Sequence, residues 1–279
     1  MIKASSSRDR VVLLDGAISR LPVQNAVLTR LLTELSNEET SAKQLGRLIE
    51  SDPVLLARLL RLANSPFCGG HTASDATQAV VKVGFTAVRS LAAAAVCQGS
   101  STGSTPEGFW NHSLMTASAE QVIATRLRLP AGEAFSAGMV HDLGLLLLSS
   151  VYADDYTALQ QRVDLTISQR AEIETDLFGV THGEVSGRVL RTLQFPDDMV
   201  AAVIDHHHDL ANGTPTNRLA RVLIAAESLI DTLDAGFGEP TMELSQALKL
   251  VNLEESDVES LSAQTLEQFA SMAQSILVG

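Results

Sequence analysis

The chain has 279 residues, 45% of them hydrophobic but only 4% aromatic, and a formal net charge of −13. That length allows one large domain or two small ones, and apolar content carried by Leu, Ala and Val favours helix packing over a sheet core. A pI near 4.9 argues against a nucleic-acid partner, and two cysteines, Cys68 and Cys97, make no disulfide framework.

Residues 1–10 are polar and lack the apolar core of a signal peptide. No run of 18 or more apolar residues follows, so a cytoplasmic protein with no membrane partner is expected. Residues 11–14 read as a short extended piece or a first helical turn. Leu21-Pro22 opens a helix to about residue 35. Ser36 and Glu39 have the spacing of a capping box before a helix at 41–50. Asp52-Pro53 joins a capping carboxylate to proline at the first helical position, and that helix ends near Asn64. Asp75 and Gln78 cap a short helix at 76–82, Gly84 breaks it, and another runs from 85 to 98. Residues 99–108, rich in Gly, Ser, Thr and Pro, read as a linker. The predicted organisation is therefore an N-terminal helical part at 1–98, a linker at 99–108, a second helical part at 109–233 and a C-terminal helical extension at 234–279.

Beyond the linker, a helix spans 109–126. Leu129-Pro130 turns a corner into one long helix carrying His141-Asp142. Helices follow at 152–163 and 168–177. Thr181 and Glu184 form a capping box that sets His182 in a first turn, where backbone N–H groups still face outward. Phe195-Pro196 opens a helix ending at His206-His207-His208. An apolar helix at 218–233 holds Glu227. A loop at 236–240 and helices at 244–253 and 263–277 complete an all-α chain. Valines sit at helical spacing, and there is no Gly-rich phosphate loop or CxxC pair.

The chemistry concentrates at His141-Asp142. Two ionisable residues lie side by side in the apolar run from Ala134 to Ser149, where an unpartnered polar group costs about 2–7 kcal/mol. A buried structural His–Asp pair is one explanation. Convergence with His112, His182, His206, His207 and Glu227 is the other, since each sits on a helix or at its end and helices of a bundle can point ligands inward. Each of these also has a plain alternative: a packing histidine at 112, a first-turn histidine at 182, a solvated helix end at 206–208, a buried ion pair at 227. Histidine with carboxylate suits Zn, Fe, Ni or Mn, as one or two ions, and one carboxylate can bridge two. Such a cluster can activate water against a phosphate ester. Arg188 and Arg191 are the best candidates for phosphate contact, whereas Lys82 and Arg89 are most simply solvated.

The order His112, His141-Asp142, His182, His206-His207 resembles the HD superfamily of metal-dependent phosphohydrolases. The stretch from about residue 20 to 226 resembles its HDOD branch, the HD-related output domain. The likeness is carried by Leu21-Pro22, Leu48 through Pro53, Arg58 through Ser65, Ala79 through Gly84, Phe109 through Ser113, Ala137 through Gly144, Phe178 through Val185 and Phe195-Pro196 to His207. The resemblance implies an HD-domain-like helical bundle with an additional N-terminal helical subdomain. It implies a bacterial signalling output, with His112, His141, Asp142, His182, His206 and His207 as metal-site residues and His141 and Asp142 as the catalytic pair. Glu227 stands where HD enzymes place their last metal aspartate, and its extra methylene moves the carboxylate by roughly an ångström. The Gly-Tyr-Pro signature of the cyclic-di-GMP-hydrolysing relatives is absent; Ala211 to Pro215 occupies that region. Two functions follow as expectations: a regulatory module that binds a signalling protein or a small ligand, and a metal-dependent phosphohydrolase acting on a phosphorylated small molecule. Residues 234–279 lie outside the likeness and either cover the HD part or form a homodimer surface.

Overall fold

In the computed structural model, residues 7–21, 26–65, 68–69, 71–100, 105–162, 165–233 and 242–276 are described. Every regular element among them is helical. The N-terminal half comprises α1 (Ser7–Arg20), α2 (Ala26–Glu34), α3 (Ala42–Ile49), α4 (Pro53–Ala63), α5 (Ala76–Val83) and α6 (Phe85–Ser100). The segment at 11–14 is thus the interior of α1, and α6 takes in the first two residues of the predicted linker.

Local signals explain most boundaries. The Asp52 carboxylate accepts from the N–H groups of Val54 and Leu55, and Pro53 supplies the preset first turn. Asp75 accepts from the Gln78 N–H at 2.9 Å. Gly84 ends α5 with φ +85°, a left-handed conformation that L side chains avoid. The capping box predicted at Ser36 is instead at Ser41, which exchanges hydrogen bonds with Gln44. Ser36 donates back to the Leu32 carbonyl in the last turn of α2 and accepts from Arg89.

The second half begins with α7 (Phe109–Arg126), α8 (Ala131–Val140), α9 (Leu143–Val151), α10 (Ala153–Gln160) and α11 (Ile167–Phe178). It continues with α12 (His182–Thr192), α13 (Asp197–Ile204), α14 (Arg218–Asp231), α15 (Leu244–Leu250) and α16 (Val258–Ile276). The predicted long helix is two helices, because the chain turns at His141-Asp142. The His141 ring bonds the Gly138 carbonyl at 2.8 Å, and Asp142 leaves helical geometry at φ −103°, ψ 15°. Residues 131–151 are apolar and long enough to cross a membrane by length and composition. They are broken at this turn, and 89% of their most apolar window is buried inside the protein. The 236–240 loop lies outside the described residues.

One apolar core runs through both halves, from Leu14 and Leu59 through Phe109, Leu146 and Val203 to Met272. Helices α7 and α8 form its tightest pair, and α14 and α16 cover α7. Gly138 makes the first contact possible, since a Cβ there would stand 2.6 Å from the Ala117 Cα. Gly144 does the same for α9 against α12, where a Cβ would meet the His182 carbonyl oxygen at 2.2 Å. That approach sets Asp142 beside His182. Helix α16 also packs on α4, so the described part of the C-terminal extension covers both halves. Arg89, expected to be solvated, instead donates to the carbonyls of Leu35, Leu193 and Gln194 and to the Ser36 hydroxyl. It ties the ends of α2 and α12 together, placing a cation at two helix C-termini.

Candidate metal centre

All seven predicted ligands meet in one place. Helix α7 delivers His112 from its first turn. The α8–α9 turn delivers His141 and Asp142, and the capped start of α12 delivers His182. The turn after α13 delivers His206 and His207, and α14 delivers Glu227. All are buried except His207, which is half-buried. The Thr181–Glu184 capping box forms as predicted and fixes the first turn of α12.

The atoms sort into two groups. In the first, the Nε2 atoms of His112 and His141 face each other at 3.2 Å, and Glu227 Oε1 lies 3.4 Å from His141 Nε2. In the second, the Nε2 atoms of His182 and His206 face each other at 3.3 Å, with His207 beside them. Asp142 lies between. Its Oδ2 is 3.1 Å from His141 Nε2 and 3.5 Å from His112 Nε2. Its Oδ1 is 3.4 Å from His206 Nε2 and 3.7 Å from His182 Nε2. Donors around an ion with bonds of about 2.1 Å lie about 3 Å apart at right angles and about 3.4 Å apart in a tetrahedron. Most of the observed separations fall in that range, and the two longest, from Asp142 to His112 at 3.5 Å and to His182 at 3.7 Å, stand slightly outside it. Glu227, on α14, reaches the group in spite of its longer side chain, with Oε1 3.4 Å from His141 Nε2.

The hydrogen bonds identify the Nε2 atoms of His141, His182 and His206 as acceptors when their rings are neutral. The Nδ1 atoms of His141 and His206 face the carbonyls of Gly138 and Val203 at 2.8 and 2.5 Å. His182 Nδ1 faces the Glu174 carboxylate at 2.8 Å. A ring that donates from Nδ1 presents a lone pair at Nε2 when neutral. Both Asp142 oxygens and His207 Nε2 are buried without a hydrogen-bond partner. The facing Nε2 lone pairs of neutral His182 and His206 repel in a buried space, and a divalent cation is the species that fits them.

Charge agrees with this reading. Burial opposes protonation of His141, but Asp142 and Glu227 outweigh it and hold its pKa well above the usual imidazole value. Burial would raise Asp142, yet His141 first, and then close approach of His112 and His206, hold it well below the carboxylate range. Glu227 is likewise lowered, to about 2, against the effect of burial, by His206, His207 and His141. The carboxylates that hold a proton on His141 are the ones that would hold a cation in its place.

Two participants escaped the sequence reading. Glu174 binds both the ring and the backbone N–H of His182, and Arg170 donates to it at 2.8 Å. This carboxylate orients a candidate ligand from behind. Despite burial, His182 and Arg170 lower its pKa to about 2. The available signal was Arg170, Glu174 and Phe178 spaced four apart on one face of α11, all buried. Glu120 is the second. It is fully buried on the same face of α7 as His112, both its oxygens lack partners, and burial with the nearby Glu227 pushes its pKa well above the usual range.

A cavity of about 430 Å³ opens on His182, His206 and His207, with Ser168, Arg170 and Asp209 on its wall. Neither Arg188 nor Arg191 lines it. Arg188 pairs with Asp15 of α1 at 2.9 Å, and Arg191 is exposed.

The sequence profile of the HDOD domain matches residues 21–209. Similar solved structures include a candidate phosphohydrolase from Shewanella amazonensis SB2B, at TM-score 0.68 and 26% identity over 94% of this chain and 97% of that one. An HDOD domain protein with unknown function from Geobacter sulfurreducens has TM-score 0.68 at 20% identity, over 91% and 92% of the two chains. A candidate signal transduction protein from Marinobacter aquaeolei VT8 has TM-score 0.66 at 19% identity, over 99% of this chain and 67% of that one. The last two likenesses are of fold. No curated protein matches the sequence.

Proposed function

This chain belongs to the HDOD domain family, and on that premise we propose that it is a signalling module built around a divalent-metal centre. The observation that carries this reading is the position of Asp142, each of whose oxygens faces a separate pair of imidazole nitrogens. His112, His141 and Glu227 would hold one ion. His182, His206 and His207 would hold a second, with Asp142 shared between them. The centre joins five segments far apart in sequence, so its occupancy governs how α7, α9, α12 and α14 sit on each other. That makes metal loading a means of presenting or withdrawing a surface to a signalling partner.

The test is thermal unfolding after chelation and after reloading with Fe, Mn, Ni or Zn. A ligand that binds only the folded state stabilises it by about 2.7 kcal/mol at a hundred times its Kd. Reloading should raise Tm by several degrees in the wild type and not in Asp142→Ala. Equal Tm values for chelated and reloaded wild type would refute the proposal.

A second reading, phosphoester hydrolysis, draws support from the cavity that reaches His182, His206 and His207. Divalent ions bound there would neutralise phosphoryl oxygens and lower the pKa of water. The chain's own part is to orient His182 through Glu174 and to exclude bulk water from the His112–His141 side. The wall carries Glu172, Asp205 and Asp209, so a substrate anion depends on the metal charge for its attraction. Hydrolysis of bis-p-nitrophenyl phosphate by reloaded wild type, absent in Asp142→Ala, is the expected outcome. No turnover by fully loaded protein on mono- and diesters would exclude this reading and leave the first intact.

A further inference from the structure

A different cleft, which shares no lining residue with the cavity over His206 and His207, lies where α4 and α6 of the N-terminal half meet the start of α7. Its volume is about 350 Å³, within the range of small-molecule sites. Phe109, Met139 and Leu91 supply apolar wall, and all three are buried. The polar groups are Arg58, Gln98, Asn111 and the indole of Trp110.

Three features point to an occupant. The Trp110 Nε1–H is buried without a hydrogen-bond partner, although a buried indole N–H normally finds an acceptor. Arg58 reaches Gln98 Oε1 at 3.2 Å, and among the described residues no carboxylate lines the cleft. In a chain of net charge −13, a concave site whose described lining holds a cation and no acid is a local reversal of sign. The Phe109 and Trp110 rings stand edge to face at 4.9 Å, so an indole edge and an apolar floor are fixed in place.

We propose that this cleft binds a mononucleotide-sized organic anion, with its charged group on Arg58 and an acceptor-bearing planar ring against Trp110. Arginine suits a phosphate or carboxylate through paired N–H donors. The indole N–H and the amides of Gln98 and Asn111 suit the edge of a heteroaromatic ring. The site does not rest on the metal reading. It adjoins that centre nonetheless: Trp110 and Met139 each lie two residues before His112 and His141, so an occupant touches the same two helical turns.

Trp110 is the only tryptophan, so its fluorescence reports the cleft directly. AMP and GMP are titrated into chelated and into metal-loaded protein, with adenosine, guanosine and inorganic phosphate as controls. The expected result is a saturable change with at least one mononucleotide. It should weaken on the order of tenfold in Arg58→Gln, the loss of one charged contact, and comparably when the phosphate is absent. Arg58 is half-buried on a helix surface, and circular dichroism checks that the variant folds. Calorimetry on Trp110→Phe, which keeps a ring but removes the N–H, should show weaker binding as well. No saturable change with either mononucleotide would overturn the proposal. Binding that Arg58→Gln leaves unaltered, or inorganic phosphate binding as tightly as the nucleotides, would overturn it too.

Discussion

The two halves of the metal centre are built alike but sit differently. The His112, His141 and Glu227 group is enclosed on all sides by α7, α8 and α14, with Glu120 as a further buried acid nearby. The His182, His206 and His207 group opens on a cavity through half-buried His207. Ligand chemistry is therefore shared, and access is not. The enclosed group can hold an ion but offers little room for anything else. The open group can exchange its ion and admit a small molecule.

The sharpest way to break this comparison is Glu227→Ala. Among the described residues it removes the carboxylate that groups with His112 and His141 and not with the open histidines, so about half of the bound metal should be lost while the open group keeps its share. Elemental analysis checks this, and loss of all metal would show that the two groups act as one. The next effect concerns orientation. Glu174→Gln weakens the carboxylate behind His182 and should cost about 10–100-fold in affinity at the open group, with the enclosed ion unchanged. Competition with a chromogenic chelator gives the two affinities separately.

The smallest effect concerns Glu120. Its raised pKa means that the folded state keeps a proton that the unfolded chain gives up. Stability attributable to this group is thus present below the ordinary carboxyl value of 4.5 and lost as pH rises above it. Glu120→Gln removes the dependence. Chelated Glu120→Gln should melt a few degrees above chelated wild type at about pH 8, with the gap closing towards about pH 5. A constant gap would mean that Glu120 is not the titrating group.

Much of this was legible in the sequence, for local reasons. Asp52-Pro53, Asp75 with Gln78, and Thr181 with Glu184 each act within one turn, so their spacing alone announces them. The seven ligand candidates stood out because charged or imidazole groups interrupt apolar helices. What the sequence hid is tertiary. Two Ser-x-x-Glu/Gln patterns occur between residues 36 and 44, and the helix starts at the second, while Ser36 bonds back to Leu32 at the end of α2. Glu174 sat in an acidic run that resembles a solvated face, and only the fold turns it towards His182. The break at His141-Asp142 follows from ring and backbone contacts that no periodicity records. Arg89 looked solvated because its partners are backbone carbonyls up to 105 residues away.

The most direct test of the central claim is elemental analysis of the protein purified without added metal or chelator, beside Asp142→Ala. If Asp142 is shared between two ions, the wild type carries up to two equivalents of Fe, Mn, Ni or Zn. A brief chelator treatment then removes one, from the open group, ahead of the other, and Asp142→Ala retains neither. A folded, monodisperse wild type with no bound metal, before or after reloading, would contradict the account.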